Sequence, residues 1–218
     1  MEPFHRSPFG WDYGVNKIKC ENVLWRNHSD RSFPVSILRP TYISGPGDPA
    51  KRDYFWIERI LDGNPLLVPG DGKFKFQEVF IEDAADAFCK VIETDKSIGE
   101  AYNVSGEEVF TLNKYLEKLM QLLDRNAEIF HIDQEKFDKL EISYSNEGDV
   151  FTFNTRRDAV FSLEKIKDHL NYKTTAFDDY MSATINWFLK NYNGHSCGYS
   201  KREEELKIIN LLKLNVWK

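Results

Sequence analysis

The chain has 218 residues, a formal net charge of −6, 41% hydrophobic residues and 29% charged residues. That composition is ordinary for a soluble globular protein of one domain, or one and a half, with enough length for a sizeable core. The acidic balance argues against a general nucleic-acid or anionic-membrane surface. Cys20, Cys89 and Cys197 are an odd number at wide spacing, so neither a disulfide framework nor a C-x-x-C metal site is expected. A reducing, cytoplasmic setting fits that usage. The N-terminus lacks an apolar signal core, and no run is long and apolar enough to span a membrane.

Residues 1–12 read as a loop, with Pro3, Pro8 and Gly10 as breakers. Asp12 is the expected N-cap of a helix from 13 to about 25 or 26, where Val15, Ile18, Val23 and Leu24 recur at helical spacing. His28, Ser29 and Asp30 then read as a solvated polar turn. A short strand is expected over 33–39, ending at Pro40, followed by a Pro/Gly-rich loop over 41–49. Helix, strand and irregular loop in succession predict an α/β sheet, in which ligands sit beyond the carboxyl ends of the strands. The 41–49 loop is thus a site candidate, although a plain turn has the same composition.

Helices are expected over 54–61, 84–93, 112–123, 163–170, 180–189 and 201–214. Strands are expected over 66–68, 77–81, 101–106 and 129–132. Asp83 reads as a helix cap, Thr111 as another, and Trp56 and the lone His131 as structural. The stretch 134–160 carries no readable pattern. Residues 191–199 form a break, so the division is 1–194 plus an appended helical tail, 195–218. The broad apolar face of that tail predicts docking onto the body or onto a second subunit.

Tyr13 and Lys17 are four residues apart on the expected first helix and share a face. An ammonium beside a phenol stabilises the phenolate and lowers its pKa. A tyrosine tuned in this way exchanges protons with an alcohol or carbonyl at neutral pH. The same spacing also fits a surface tyrosine next to a lysine that pairs with Glu21 one turn on, and spacing alone leaves both readings open.

Five stretches, in order, resemble the extended short-chain dehydrogenase/reductase family, the NAD-dependent epimerase/dehydratase group. They are Tyr13-Gly14-Val15-Asn16-Lys17 with Glu21; Leu38-Arg39-Pro40-Thr41-Tyr42-Ile43-Ser44-Gly45-Pro46-Gly47; Val68-Pro69-Gly70-Asp71-Gly72; Phe80-Ile81-Glu82-Asp83-Ala84-Ala85-Asp86-Ala87-Phe88; and Tyr102-Asn103-Val104-Ser105-Gly106. The resemblance covers residues 1 to about 190. It implies an α/β fold: the C-terminal strands of a partial Rossmann-type parallel sheet, with a smaller α/β substrate-binding lobe. By the same resemblance Tyr13 is the acid/base at a sugar or alcohol carbon. Lys17 holds the nicotinamide ribose of NAD or NADP and depresses the tyrosine's pKa. Pro40, Thr41, Tyr42 and Ile43 lie against the nicotinamide. A homodimer through the helices around Tyr13, typical of such relatives, is expected.

The departures matter as much. No G-x-x-G-x-x-G turn occurs in the sequence, although the family's pyrophosphate site needs its glycines. By resemblance, the chain corresponds to the family's C-terminal part and is expected to bind cofactor weakly or not at all on its own, and to be inactive alone. Phe76 and Asn146 stand where nucleotide-sugar epimerases carry diphosphate-binding arginines. Gln77 and the 39–43 stretch are closer to the branch that includes chloroplast stem-loop-binding proteins. A non-catalytic module for RNA or a protein partner is therefore the alternative, with Arg156, Arg157, Lys165 and Lys167 as its modest basic patch or simply a solvated face.

Overall fold

The computed structural model describes residues 11–140, 156–195 and 198–214. Helix α1 (Trp11–Arg31) leads into strand β1 (Ser36–Pro40). The parallel partner of β1 is β6 (Glu100–Val104), in register from Ser36 opposite Glu100 to Pro40 opposite Val104. A second parallel pair joins β2 (Tyr42–Ser44) to β5 (Glu78–Phe80), and a third joins β3 (Leu66–Pro69) to β8 (Ile129–Ile132). Strands β4 (Lys75–Phe76) and β7 (Phe110–Thr111) form an antiparallel pair. Parallel pairing requires long crossovers. These contain α2 (Arg52–Leu61), α3 (Ile81–Glu93) and α4 (Leu112–Leu123). Helices α5 (Gln134–Asp138), α6 (Glu164–Leu170), α7 (Phe177–Asn191) and α8 (Arg202–Lys213) follow. The mixed α/β architecture with parallel strand pairs is the one the sequence predicts.

Three apolar clusters hold these elements. The largest packs α2, α4 and α7 around Trp56, Tyr115, Leu116, Phe177 and Met181. The second lies between β6, α3 and α6, around Tyr102, Val104, Ala87, Ile166 and Leu170. Strand β5 borders both, because side chains alternate across a strand: Phe80 enters the first cluster and Val79 the second. The third cluster joins Leu67 of β3 and Ile132 of β8 to Ile208 and Ile209 of α8. At the β2–α2 loop, Gly45 has φ +144°, and a Cβ there would lie 2.7 Å from Ile81 Cγ2. Only glycine lets this turn close against the start of α3.

Several local expectations are corrected. Helix α1 begins before Asp12, which is therefore inside the helix and not its cap, and it continues through His28, Ser29 and Asp30 to Arg31. The His28 ring Nδ1 meets the Phe33 carbonyl oxygen at 2.8 Å, so this histidine binds the chain reversal after the helix. Its position in the last turn, with Arg31, also suits the negative end of the helix dipole. The 41–49 loop contains β2. Asp83 does not cap α3; its carboxylate accepts the Thr175 amide and hydroxyl, both at 2.7 Å, and ties α3 to the segment before α7. Thr111 does cap α4, accepting the Lys114 amide at 3.2 Å. The expected loop over 1–10 and Asn146 lie outside the described residues.

Candidate active site

The first helix presents Tyr13 to solvent, 70% exposed, with the Lys17 ammonium over its ring at 5.4 Å from the centroid. The competing Lys17–Glu21 pair is not the arrangement adopted. Glu21 is taken by Arg39 in a two-pronged bond, Nε to Oε1 at 2.9 Å and a terminal nitrogen to Oε2 at 2.5 Å. Hydrogen bonding to the guanidinium holds the Glu21 carboxyl below the usual range and raises Arg39 in return. The forked guanidinium suits a carboxylate geometrically as well as electrostatically.

This pair sets the geometry of the site. Only residues 32–35 separate α1 from β1, so the two run in opposite directions. Arg39 is one residue short of the end of β1. From Glu21 back to Tyr13 the helix rises about 12 Å, at roughly 1.5 Å per residue, toward the carboxyl end of the strand. The Arg39–Glu21 bond therefore links the Tyr13 helix to the stretch containing Pro40, Thr41, Tyr42 and Ile43. Pro40 closes the β1–β6 ladder opposite Val104. Thr41 donates its amide to the Val104 carbonyl at 2.9 Å, and its hydroxyl lies 3.0 Å from that of Ser105. Tyr42 and Ile43 pair with Glu78 and Val79, and the Tyr42 ring underlies the Arg52 guanidinium at 5.4 Å.

Sequence reasoning missed the buried polar residues behind this loop. Asp53 accepts the hydroxyls of Ser44 and Tyr115, each at 2.6 Å, and Glu78 accepts that of Tyr180 at 2.7 Å. Burial pushes Asp53 up to about 6 and Glu78 well above the carboxylate range, with the Asp53 charge adding to the latter. A signal was present: each acid stands beside an apolar run, Tyr54-Phe55-Trp56-Ile57 and Val79-Phe80-Ile81. Buried carboxyls in such runs call for donors. Phe76 is buried against Phe110 and Tyr115 and offers no cation. In the expected basic patch, Arg156 pairs with Asp138 at 2.6 Å, Lys167 with Glu107 at 2.5 Å, and Lys165 with Glu100. Among the described residues no cluster of three or more metal-ligating side chains forms, and no helix is long and apolar enough to cross a membrane.

An α/β fold with parallel strand pairs, and an exposed Tyr/Lys pair linked to a strand's carboxyl end, defines a Rossmann-type class. Comparison with known proteins then shows what the chain is similar to. Residues 2–105 match the model of the NAD dependent epimerase/dehydratase family. A dTDP-glucose 4,6-dehydratase from Xanthomonas campestris is 26% identical over 181 residues, covering 82% of this chain and 49% of the relative. The chloroplast stem-loop binding protein of 41 kDa b from Arabidopsis thaliana is 30% identical over 160 residues, covering 72% of this chain and 39% of the relative. The structure of UDP-glucuronic acid 4-epimerase from Bacillus cereus in complex with NAD superposes with a TM-score of 0.68 at 21% identity. That match covers 88% of this chain and 55% of the other. The chain is similar to the NAD-dependent epimerase/dehydratase family over residues 2–105, and it spans about half the length of the relatives it matches.

Proposed function

We propose that Tyr13 and Lys17 are the proton-transfer and ribose-holding pair of an NAD(P)-dependent epimerase/dehydratase reaction on a sugar or related alcohol. The observation that carries this reading is the Lys17 ammonium over the exposed Tyr13 ring, on a helix bound to the end of β1 through Glu21 and Arg39. The residues fit the nicotinamide-ribose end of the cofactor: an exposed phenol, an ammonium one turn away, and the Pro40–Thr41–Tyr42–Ile43 backbone beyond the strand. When bound, the nicotinamide supplies the hydride acceptor and donor. Tyr13 would move the proton at the substrate oxygen, and Lys17 would hold the ribose hydroxyls and keep the phenol oriented. The sequence has no G-x-x-G-x-x-G turn, so these residues would grip only one end of the dinucleotide. This chain alone is therefore expected to bind cofactor weakly and not to turn over. The sugar-nucleotide ligand of the Bacillus cereus epimerase suggests the substrate class, but buried Phe76 supplies no guanidinium for a diphosphate.

A fluorescence titration of NADH into the chain, native and Lys17→Ala, tests the cofactor half of this reading. Weak saturable binding reduced about tenfold or more by the substitution is expected, and equal binding by both proteins counts against it. In the catalytically competent protein that contains this chain, Tyr13→Phe should lower kcat by about 10²–10⁴, the usual worth of a positioned acid/base. Retained turnover would remove the mechanism. One observation favours a second reading, a binding module for stem-loop RNA: the similarity to the chloroplast stem-loop binding protein. The pairing of Arg156, Lys165 and Lys167 with acids weighs against it. Affinity for a stem-loop that falls steeply with salt would support that reading, and no binding at low salt would end it.

A further inference from the structure

A cleft of about 250 Å³ opens between the turn after β6 and the start of α7. Glu78, Glu107, Glu108, Thr175, Phe177 and Tyr180 are among the residues that line it. The two outer acids are engaged. Glu107 pairs with Lys167 at 2.5 Å; Glu108 accepts the Phe177 amide at 2.8 Å and lies 4.0 Å from the Lys118 ammonium. Glu78 differs from both. It is 2% exposed, and strand alternation sends its side chain to the face that carries Phe80, toward the cleft-lining Tyr180. Its Oε1 accepts the Tyr180 hydroxyl at 2.7 Å, while its Oε2 is buried with no hydrogen-bond partner. The backbone here is closely fitted as well: the Gly106 amide donates to the Glu78 carbonyl at 2.8 Å, and a Cβ on Gly106 would lie 2.7 Å from that oxygen.

We propose that this cleft binds a compact organic cation, a primary ammonium, with Glu78 as its counter-ion. A buried carboxyl oxygen without a partner is costly in either protonation state, and once the carboxyl ionises a charged donor relieves that cost more fully than a neutral one. The aromatic walls, Phe177 and Tyr180, suit an alkylammonium, whose charge is attracted by ring faces and whose stem is apolar. A metal ion fits poorly, because no cluster of three ligating side chains forms among the described residues. The inference does not depend on the Tyr13 chemistry.

The groups that act on Glu78 set the pH dependence. They are Arg52 and Asp53 on α2, Asp48 in the preceding loop and Tyr180 on α7; burial is the largest influence and favours the protonated acid. An ammonium can take up its place only as that proton leaves. Binding should therefore release close to one proton and tighten by about tenfold per pH unit while Glu78 is protonated in the free protein.

The probe is n-butylammonium chloride, with 1-butanol as the uncharged control and sodium chloride as the ionic-strength control, titrated calorimetrically into the chain at several pH values. Saturable, proton-releasing binding of the ammonium alone is expected. In Glu78→Gln, which keeps an acceptor for Tyr180, affinity should fall at least tenfold and its pH dependence should vanish. Equal binding of butanol, equal binding by Glu78→Gln, or no saturation in the millimolar range overturns the proposal. If the variant does not fold, the carboxyl ¹³C resonance of Glu78 in the native chain decides the matter. It should move to its ionised position with butylammonium, and an unmoved resonance under the highest probe concentration overturns the proposal.

Discussion

At the residue scale, burial raises two neighbouring acids, Asp53 and Glu78, which differ in their donors. Asp53 receives two short hydroxyl bonds and Glu78 one. Donors favour the charged form and so offset part of the burial that raises each acid, with two donors on Asp53 and one on Glu78. The folded pKa of Asp53, about 6, lies above the ordinary carboxylate value of 3.8. The folded state thus binds the extra proton, and Asp53 contributes a stability that is fully present below about pH 4 and lost as pH rises to about 6. Glu21, Asp62 and Asp138 are shifted the opposite way, and their contributions are lost only as pH falls through the acid range. Urea unfolding midpoints of the native chain should therefore decline from about pH 4.5 to 6 relative to those of Asp53→Asn. Parallel curves for the two proteins would show that Asp53 is not the titrating group.

At the element scale, the docking of α8 shows how a polar interface is built inside an apolar one. Arg59 of α2 and Glu205 of α8 have side-chain exposures of 1% and 2% and are joined by bonds of 3.0 and 2.6 Å. Arg59 also donates to the carbonyls of Phe55 and Gly198, each at 3.1 Å. Arg202 binds Asp62 at 2.7 and 3.0 Å and Glu205 at 3.0 Å. Burying such charges is costly unless every partner is in place, so breaking the set costs more than its presence contributes. Arg59→Ala should lose about 3–5 kcal/mol in denaturant unfolding. The double replacement Arg59→Met with Glu205→Leu should lose markedly less, and equal losses would mean that packing around the guanidinium outweighs the charge. The amphipathic pattern of 201–214 indicated a helix with a broad apolar face. It gave no sign that Arg59, in a hydrophobic helix distant in sequence, would bind it.

At the scale of the whole molecule, the apolar residues that remain outside the three clusters carry the expectation of self-association. Val23 and Leu24 of α1 are 56% and 39% exposed, on the helix that also carries Tyr13 and Lys17. A dimer through this helix would cover them. Sedimentation equilibrium should then show a dimer that dissociates when Val23 and Leu24 are both replaced by glutamate. A monomeric native chain at tens of micromolar would dismiss this arrangement.

The sequence by itself determined the α/β class, the placement of most helices and strands, and the family resemblance, because these rest on local periodicity, turn residues and short motifs. Thr111 as a cap and Pro40 as the end of β1 were legible for that reason. Tertiary structure decided whatever depends on residues far apart in the chain. It assigned Glu21 to Arg39 and not to Lys17, it carried α1 four or more residues past its apolar pattern to a His28–Phe33 reversal, and it turned Asp83 from a cap into an anchor for Thr175. It also brought Ser44 and Tyr115 to Asp53 and Tyr180 to Glu78, two buried hydrogen-bonded sets close enough for the Asp53 charge to act on Glu78. The physical reason is that a polar side chain's partner is set by the geometry of burial: once water is excluded, the nearest donor or acceptor in space satisfies it, wherever that residue stands in the sequence.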